Sequence, residues 1–542
     1  MSLHLPPPGT AGDIRLIRTS LPLLREDPQD CPHGNALRAR PLIGQVPKRP
    51  RRKPVEDFAL GPVMNALDAI EYDDVDTESA LARIRKDHKY HAGHASWAES
   101  AIRSYLAART AREEQRRTLG RPTTQPVRAQ WTAITQREVP DSRGATRYER
   151  TGWGRRYASA DGSERELWLL SVNSVKVDRP PAEIAEAAAV AATGVPVQPA
   201  FGDIHRPIAG DNGRPQRVRI VGVGCGNGDH DILADWDIEE TERRFTEDAK
   251  PVLGRVVEAD RLNAGSSCVR CEGLAGCELP HRAPAVLGVP GPRRPRGRRS
   301  VSATDLRVHS RCPAQFHLTR VLHLKSGAPE NEPIRRGRAV DEWLNLRHGQ
   351  GCCRTAPLPE SLPGLSPSEL PTALAMLAQH QRACPLDGLP TGELVQVQHR
   401  LAAYDPELDV VLIADPDLLY TRSGGWIWHE TKTAAKRPWE GQDLLETYPQ
   451  LAFAVVLMAA GVPGGDLRRS LIELEVLYED GSRCEEIDPG DPDTQAEAHR
   501  IIAGLAGPWA VDETYTPNPG GHCSGCDVLA HCAVGRTHLE AL

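Results

Sequence analysis

Two sets of residues in this 542-residue chain have the types and spacing for chemistry. The first is Asp417 with Glu430 and Lys432. Leu408 to Tyr420 reads as an apolar, β-branched strand, Thr421 to Gly425 as a turn, and Trp426 to Thr433 as the returning strand. Side chains alternate along a strand, so Glu430 and Lys432 face the same way. Two carboxylates and an ammonium on one sheet face suit phosphodiester hydrolysis. Carboxylate oxygens hold Mg2+ or Mn2+, such an ion acidifies water and offsets phosphoryl charge, and an ammonium stabilises the same transition state. Asp415 competes with Asp417 as a ligand, and an isolated Glu-x-Lys is more often a solvated surface pair.

The second set is cysteine. Cys523-x2-Cys526-x5-Cys532 lies near the end of the sequence, and Cys268-x2-Cys271-x5-Cys277 repeats that spacing. Three thiolates on a short loop, joined by a fourth, make a tetrathiolate site that zinc or a [4Fe–4S] cluster accepts. A Cys-Pro pair stands far upstream of each triad, Cys312-Pro313 and Cys31-Pro32, which supplies a candidate fourth ligand. Cys225 is a rival to Cys31, and plain buried thiols are the alternative. A site joining 312 to 523–532 would close a loop of roughly two hundred residues and make metal binding part of folding.

The elements that must position these residues belong to more than one domain, given the length. Residues 1–56 are Pro-rich and carry the basic run Lys48-Arg49-Pro50-Arg51-Arg52-Lys53, which reads as a flexible arm, either solvated or phosphate-binding. Residues 281–300, rich in proline and arginine, read as an extended linker. Between and beyond them lie a module over 57–280 and another over 301–542. The shared order of Cys-Pro pair, strand with Gly turn (Arg217 to Gly226; Leu471 to Gly481), helical stretch and triad argues for two tandem copies. Aligning their Trp-containing strands sets Glu166 to Ser174 against the Glu430 strand. No Glu-x-Lys occurs there, and Arg156–Tyr157 falls where an aspartate is needed, so the first copy is degenerate. His94 reads as a structural histidine rather than a ligand.

The formal net charge of −7 gives no global field for a polyanion, so nucleic acid must be held by local basic patches or bound cations. The amino terminus lacks an apolar signal segment, and the longest apolar run, Leu451 to Gly461, is about half the ~20 residues of a membrane span. A soluble, cytoplasmic protein without membrane contact is expected. Its thirteen cysteines then suit metal better than disulfides.

The run Val301 to Phe316, with Cys312, resembles the opening helix of RecB-type nucleases of the PD-(D/E)xK superfamily. The resemblance is strongest to the iron–sulfur subset that includes AddB-type proteins and CRISPR-associated exonucleases. Gly337-Arg-Ala-Val-Asp341, Asp417, Glu430-Thr-Lys432, Gln450 opening a helix, and the Cys523/526/532 triad follow in the family's order. The resemblance implies an α/β fold with a restriction-endonuclease-like core, a central mixed sheet flanked by helices. It implies that Asp417 and Glu430 bind metal, that Lys432 is catalytic, that Gln450 positions DNA or the lysine, and that four cysteines hold [4Fe–4S]. A second cluster would involve Cys31, Cys268, Cys271 and Cys277. Two positions depart from the family: Asp341 replaces its metal-binding histidine, and Ala454 stands where a tyrosine is usual.

The expected function is a divalent-metal-dependent DNA nuclease, an exonuclease or single-strand-acting enzyme of repair, recombination or defence. The other class is an inactive nucleic-acid-binding or scaffold protein with structural metal sites. No Gly-x4-Gly-Lys-Ser/Thr phosphate loop occurs, so an unwinding partner, such as a helicase or defence-system subunit, would be a separate chain.

Overall fold

A computed structural model describes residues 5–48, 52–138, 145–198, 200, 202–210, 213–291, 296–325, 330–435, 441 and 443–542. The first half contains β1 (Leu16–Ser20), α1 (Pro32–Arg38), α2 (Ala92–Thr118), β2 (Thr124–Pro126), β3 (Gln130–Glu138) and β4 (Ala145–Thr151). It continues with β5 (Arg155–Ser159), β6 (Glu164–Ser171), α3 (Pro181–Thr193), β7 (Arg217–Gly224) and β8 (His230–Asp237). The second half contains β9 (His281–Arg282), β10 (Arg299–Val301), α4 (Ala303–Arg311), α5 (Pro313–Phe316), α6 (Glu332–His348), α7 (Leu370–Arg382) and β11 (Val395–Val397). Then come β12 (Leu401–Asp405), β13 (Val410–Ala414), β14 (Leu418–Arg422), β15 (Gly425–Thr433), α8 (Pro449–Ala459), β16 (Leu471–Tyr478), β17 (Gly481–Ile487) and α9 (Pro492–Val511). The chain is mixed α/β, as expected.

Each half holds one five-stranded sheet with the same internal order, β2-β5-β6-β7-β8 and β11-β14-β15-β16-β17. In both, the third and fourth strands are parallel and the other neighbours antiparallel. A parallel pair needs a crossover; α3 supplies it in the first half and α8 in the second. A second sheet in each half corresponds in part as well: β1 runs parallel to β4, which pairs antiparallel with β3, and β10 runs parallel to β13, which pairs antiparallel with β12. Helix α8 is apolar on all sides and buried from Leu451 to Met458, as a helix enclosed by other elements must be.

The structure corrects three expectations. Residues 1–56 are not a free arm: β1 completes a sheet, and Leu16, Ile17, Leu21, Leu23 and Leu24 are buried. Each such side chain contributes roughly 1.5–3 kcal/mol on burial, enough to outweigh the prolines' turn preference. Within the basic run, residues 49–51 lie outside those described. The 281–300 segment is not a linker: β9 pairs with β12, β10 with β13, and Val286 and Leu287 are core. Its described arginines find partners, Arg298 on Asp409 and the carbonyls of Cys268 and Cys271, and Arg299 over the Trp509 ring at 3.9 Å; residues 292–295 are not described. Finally, Leu408–Tyr420 is not one strand. Asp415-Pro416 divides it, because proline offers no ladder N–H, so β13 and β14 lie in different sheets.

Among the described residues no helix is long and apolar enough to cross a membrane.

Removing residues 1–45 deletes β1, α1 and Cys31. We expect the truncated protein to be insoluble or to melt more than about 10 °C below the full chain; an unchanged thermal transition by circular dichroism would contradict the integrated role of this segment.

Candidate active site

Asp417 sits where the chain passes from one sheet to the next, directly after the proline break. Its carboxylate is fixed from two sides: Oδ2 accepts from the backbone N–H of Thr431 at 2.8 Å, and Oδ1 from the Gln398 amide at 3.2 Å. On β15, Trp428, Glu430 and Lys432 share one face by alternation. Glu430 is 6% exposed and accepts from the Trp428 indole N–H at 3.0 Å. The ammonium of Lys432 lies 2.9 Å from Glu430 Oε2, 3.4 Å from Asp417 Oδ2 and 3.0 Å from the Thr431 carbonyl. The three residues expected to meet do meet.

Helix α6 adds a third carboxylate. It lies close to the end of β15 because Gly337 allows it: a methyl at 337 would stand 3.1 Å from Thr433 Oγ1. One turn further on, Asp341 feels both other acids. Burial and the Asp417 carboxylate push its carboxyl up to about 6, against the pull of Lys432. Burial raises Glu430 as well, opposed by Lys432 and reinforced by Asp417. Burial would lower Lys432, but Glu430 and Asp417 more than offset it and keep the ammonium charged. Two acids at one ammonium, with Asp341 near enough to feel them, leave a net negative cradle, a donor set that Mg2+ or Mn2+ fits. Asp415 is drawn away: it is exposed and forms a two-bond ion pair with Arg400 at 2.7 and 2.9 Å.

Gln450 lies half-buried in the first turn of α8, at the end of the crossover nearest the Lys432 end of β15. Among the described residues no hydrogen bond joins it to Asp417, Glu430 or Lys432. Ala454 is fully buried in the core, so the absence of a tyrosine there is a packing matter.

Among its described residues the first half shows no such set on the corresponding strand, and its register differs from expectation. Trp168 faces α2, where it packs on Tyr105 and Tyr157, whereas Trp428 belongs to the core containing α8. The face toward the crossover helix therefore carries Leu167, Leu169 and, by alternation, Ser171, without an acid or a lysine. Tyr157 and Arg156 pair with Glu166 and Leu167 and do not stand in for Asp417. His94 is buried, its Nε2–H donates to the Ala59 carbonyl at 2.7 Å, and it is a structural residue.

Both cysteine sets converge. Cys312, Cys523, Cys526 and Cys532 line one cavity with Leu318 and Val528; Cys31, Cys268, Cys271 and Cys277 line another. Cys225 lies in neither and is buried in the core beside Val223, its thiol pushed up to about 12 by burial. Cys31 and Cys312 occupy equivalent places, each preceding a helix that begins with proline. Each also accepts a backbone N–H at 3.4 Å, from Asn263 and Asn518 respectively. Gly265 and Gly520 donate to Cys268 and Cys523. The pattern Asn-x-Gly-x2-Cys-x2-Cys is therefore common to both halves, a signal the triad spacing alone did not include. Such N–H···S bonds favour thiolates, and a methyl on Gly535 would stand 3.4 and 3.5 Å from Cys532 and Cys523 Sγ. A metal–thiolate centre fits this lining.

Residues 300–533 match the family model described as the PD-(D/E)XK nuclease superfamily. A solved structure titled "Crystal structure of SSO0001" is similar over 44% of this chain and 86% of that chain, with 17% identity and a TM-score of 0.24. No curated protein matches. The carboxy-terminal region has a PD-(D/E)XK, restriction-endonuclease-like fold, and the match supports a metal-dependent nuclease activity for it.

The raised Asp341 carboxyl makes a stability prediction. Its folded value, about 6, exceeds the ordinary 3.8, so its ionisation costs stability above pH 6, and that cost vanishes below about pH 4. Without divalent ions, Asp341→Asn should stabilise the protein by about 1–3 kcal/mol at pH 8 and leave it unchanged at pH 4. Equal melting curves at pH 8 would contradict the crowded-acid site.

Proposed function

We propose that the carboxy-terminal module is a divalent-metal-dependent DNA nuclease that acts from an end or on single strands. The observation that carries this reading is the meeting of Asp417, Glu430 and Lys432 near the end of the central strand β15, with Asp341 near enough to feel their charge. Asp417, Glu430 and Asp341 would hold Mg2+ or Mn2+. The chemistry such an ion supplies when bound is acidification of water and neutralisation of phosphate charge. Thr431 N–H and Gln398 orient Asp417, and Trp428 orients Glu430, so the cradle is preorganised. Lys432 contributes a fixed positive charge to the developing phosphoryl oxyanion. Gln450, at the helix start beyond β15, positions DNA or the lysine. The preference for DNA, and a role in repair, recombination or defence with a separate helicase or defence-system subunit, rest on the resemblance to RecB-type nucleases.

The four-cysteine sets are proposed to hold [4Fe–4S] clusters. Each set brings four thiols to one cavity, the ligand count that a [4Fe–4S] cluster takes, and the choice of cluster over zinc rests on the resemblance to the iron–sulfur nucleases. The first half is proposed as a degenerate copy that guides DNA or a partner.

Protein purified without oxygen should degrade DNA with Mg2+ or Mn2+, and Lys432→Ala should lower the rate by at least about 100-fold while remaining folded by circular dichroism. Mutant activity equal to wild type would remove the mechanism. Iron and sulfide analysis should give about four of each per cluster, and a chain containing neither would return both cysteine sets to zinc.

A further inference from the structure

A second constellation lies on the opposite face of the same sheet. His348 ends α6, Cys353 follows in the next loop, His380 lies in the last turn of α7, and Cys384 stands just beyond it. All four are buried, at 4%, 1%, 0% and 5% exposure. Their ligand atoms all fall within 4.8 Å of one another. The two Nε2 atoms are 3.1 Å apart, and His348 Nε2 stands 3.8 Å from Cys353 Sγ and 3.9 Å from Cys384 Sγ. A tetrahedral zinc with two nitrogens and two sulfurs requires edges of about 3.3 Å between nitrogens and about 3.5 Å between nitrogen and sulfur.

We propose that His348, Cys353, His380 and Cys384 bind one structural zinc ion. Two imidazoles and two thiols packed this closely in an apolar core bury polar groups without an evident packing reason, and tetrahedral S2N2 coordination favours zinc. The surroundings are those of a metal site. The other ring nitrogen of His380 is held by Glu475 Oε2 at 2.5 Å, which fixes the ring so that Nε2 points at the centre. Gln381 ties down the loop through the carbonyls of Cys353 and Ala356 at 3.1 and 2.6 Å. No open coordination position remains, so the role is structural rather than catalytic.

The ion joins the carboxy-terminal ends of α6 and α7. His348 and Asp341 are two helical turns apart on α6 and so share a face; fixing the former holds the latter against Asp417. Behind β15, Glu475 also approaches His429 Nε2 at 3.5 Å, and His429 Nδ1 bonds Glu473 at 2.9 Å. The zinc ligands thereby reach the residue next to Glu430.

Full-length protein expressed with added zinc should be analysed for zinc and iron on the same sample. His380→Ala should lose one zinc per chain relative to wild type, with iron unchanged. Equal zinc in variant and wild type would overturn the proposal. Should the variant not fold, zinc-edge X-ray absorption on the wild type decides. A first shell containing histidine nitrogen as well as sulfur supports the site. A sulfur-only shell, absent zinc, or a Cys353–Cys384 disulfide in non-reducing peptide mapping overturns it. Because the readout is metal content, failure here leaves the nuclease reading untouched, and the converse also holds.

Discussion

Like charge brought together out of water governs this structure. Asp417 and Glu430 flank a single ammonium with Asp341 near by, and Asp417 raises the cost of ionising both Glu430 and Asp341. Such a cluster opposes folding unless a cation or a positioned lysine offsets it. The surrounding architecture serves to hold it in place. Pro416 turns the chain between sheets and leaves Asp417 at the junction; Thr431 N–H and Gln398 lock its oxygens. Trp428 locks Glu430, and the missing side chain at Gly337 lets α6 deliver Asp341.

The proposed metal–cysteine centres would close the frame around this cluster. Cys312 lies at the start of the second half, and Cys523, Cys526 and Cys532 lie at its end, lining one cavity. The equivalent set in the first half does the same across an even longer span. Linking the ends of a long chain segment limits the unfolded ensemble most where the enclosed loop is longest. Arg298 then bridges the halves, pairing with Asp409 while bonding the carbonyls of Cys268 and Cys271. The first half has the same arrangement of cysteines but carries Leu167, Leu169 and Ser171 on the corresponding strand face.

Much of the site was legible in the sequence because its signals are local. Glu430 and Lys432 are two residues apart on a strand, and the cysteine triads have fixed short spacings. Long-range placement was less legible. The apolar residues between 16 and 24 were obscured by prolines, and their burial depends on pairing with β4, more than a hundred residues away. Pro416 marked a break that the surrounding β-branched run concealed. The Trp-on-Trp match between halves failed because a one-residue change of register reverses every side chain; Trp168 and Trp428 lie on opposite faces. His348, Cys353, His380 and Cys384 come from two helix ends, and only the packing of α6 on α7 makes them neighbours. Their spacing, His-x4-Cys and His-x3-Cys, was available as a signal. Gln398 offered none, since its role depends on meeting Asp417 across β11 and β14.

Asp417 and Glu430, with Asp341 beside them, are proposed to form a cation site. The most direct measurement is an anomalous difference map from crystals of the full chain soaked in Mn2+, collected at a wavelength where manganese scatters strongly. A peak bounded by these three carboxylates, next to the Lys432 ammonium, is the expected result. A map with no peak there, or with manganese only at other carboxylates such as Asp415, would contradict it.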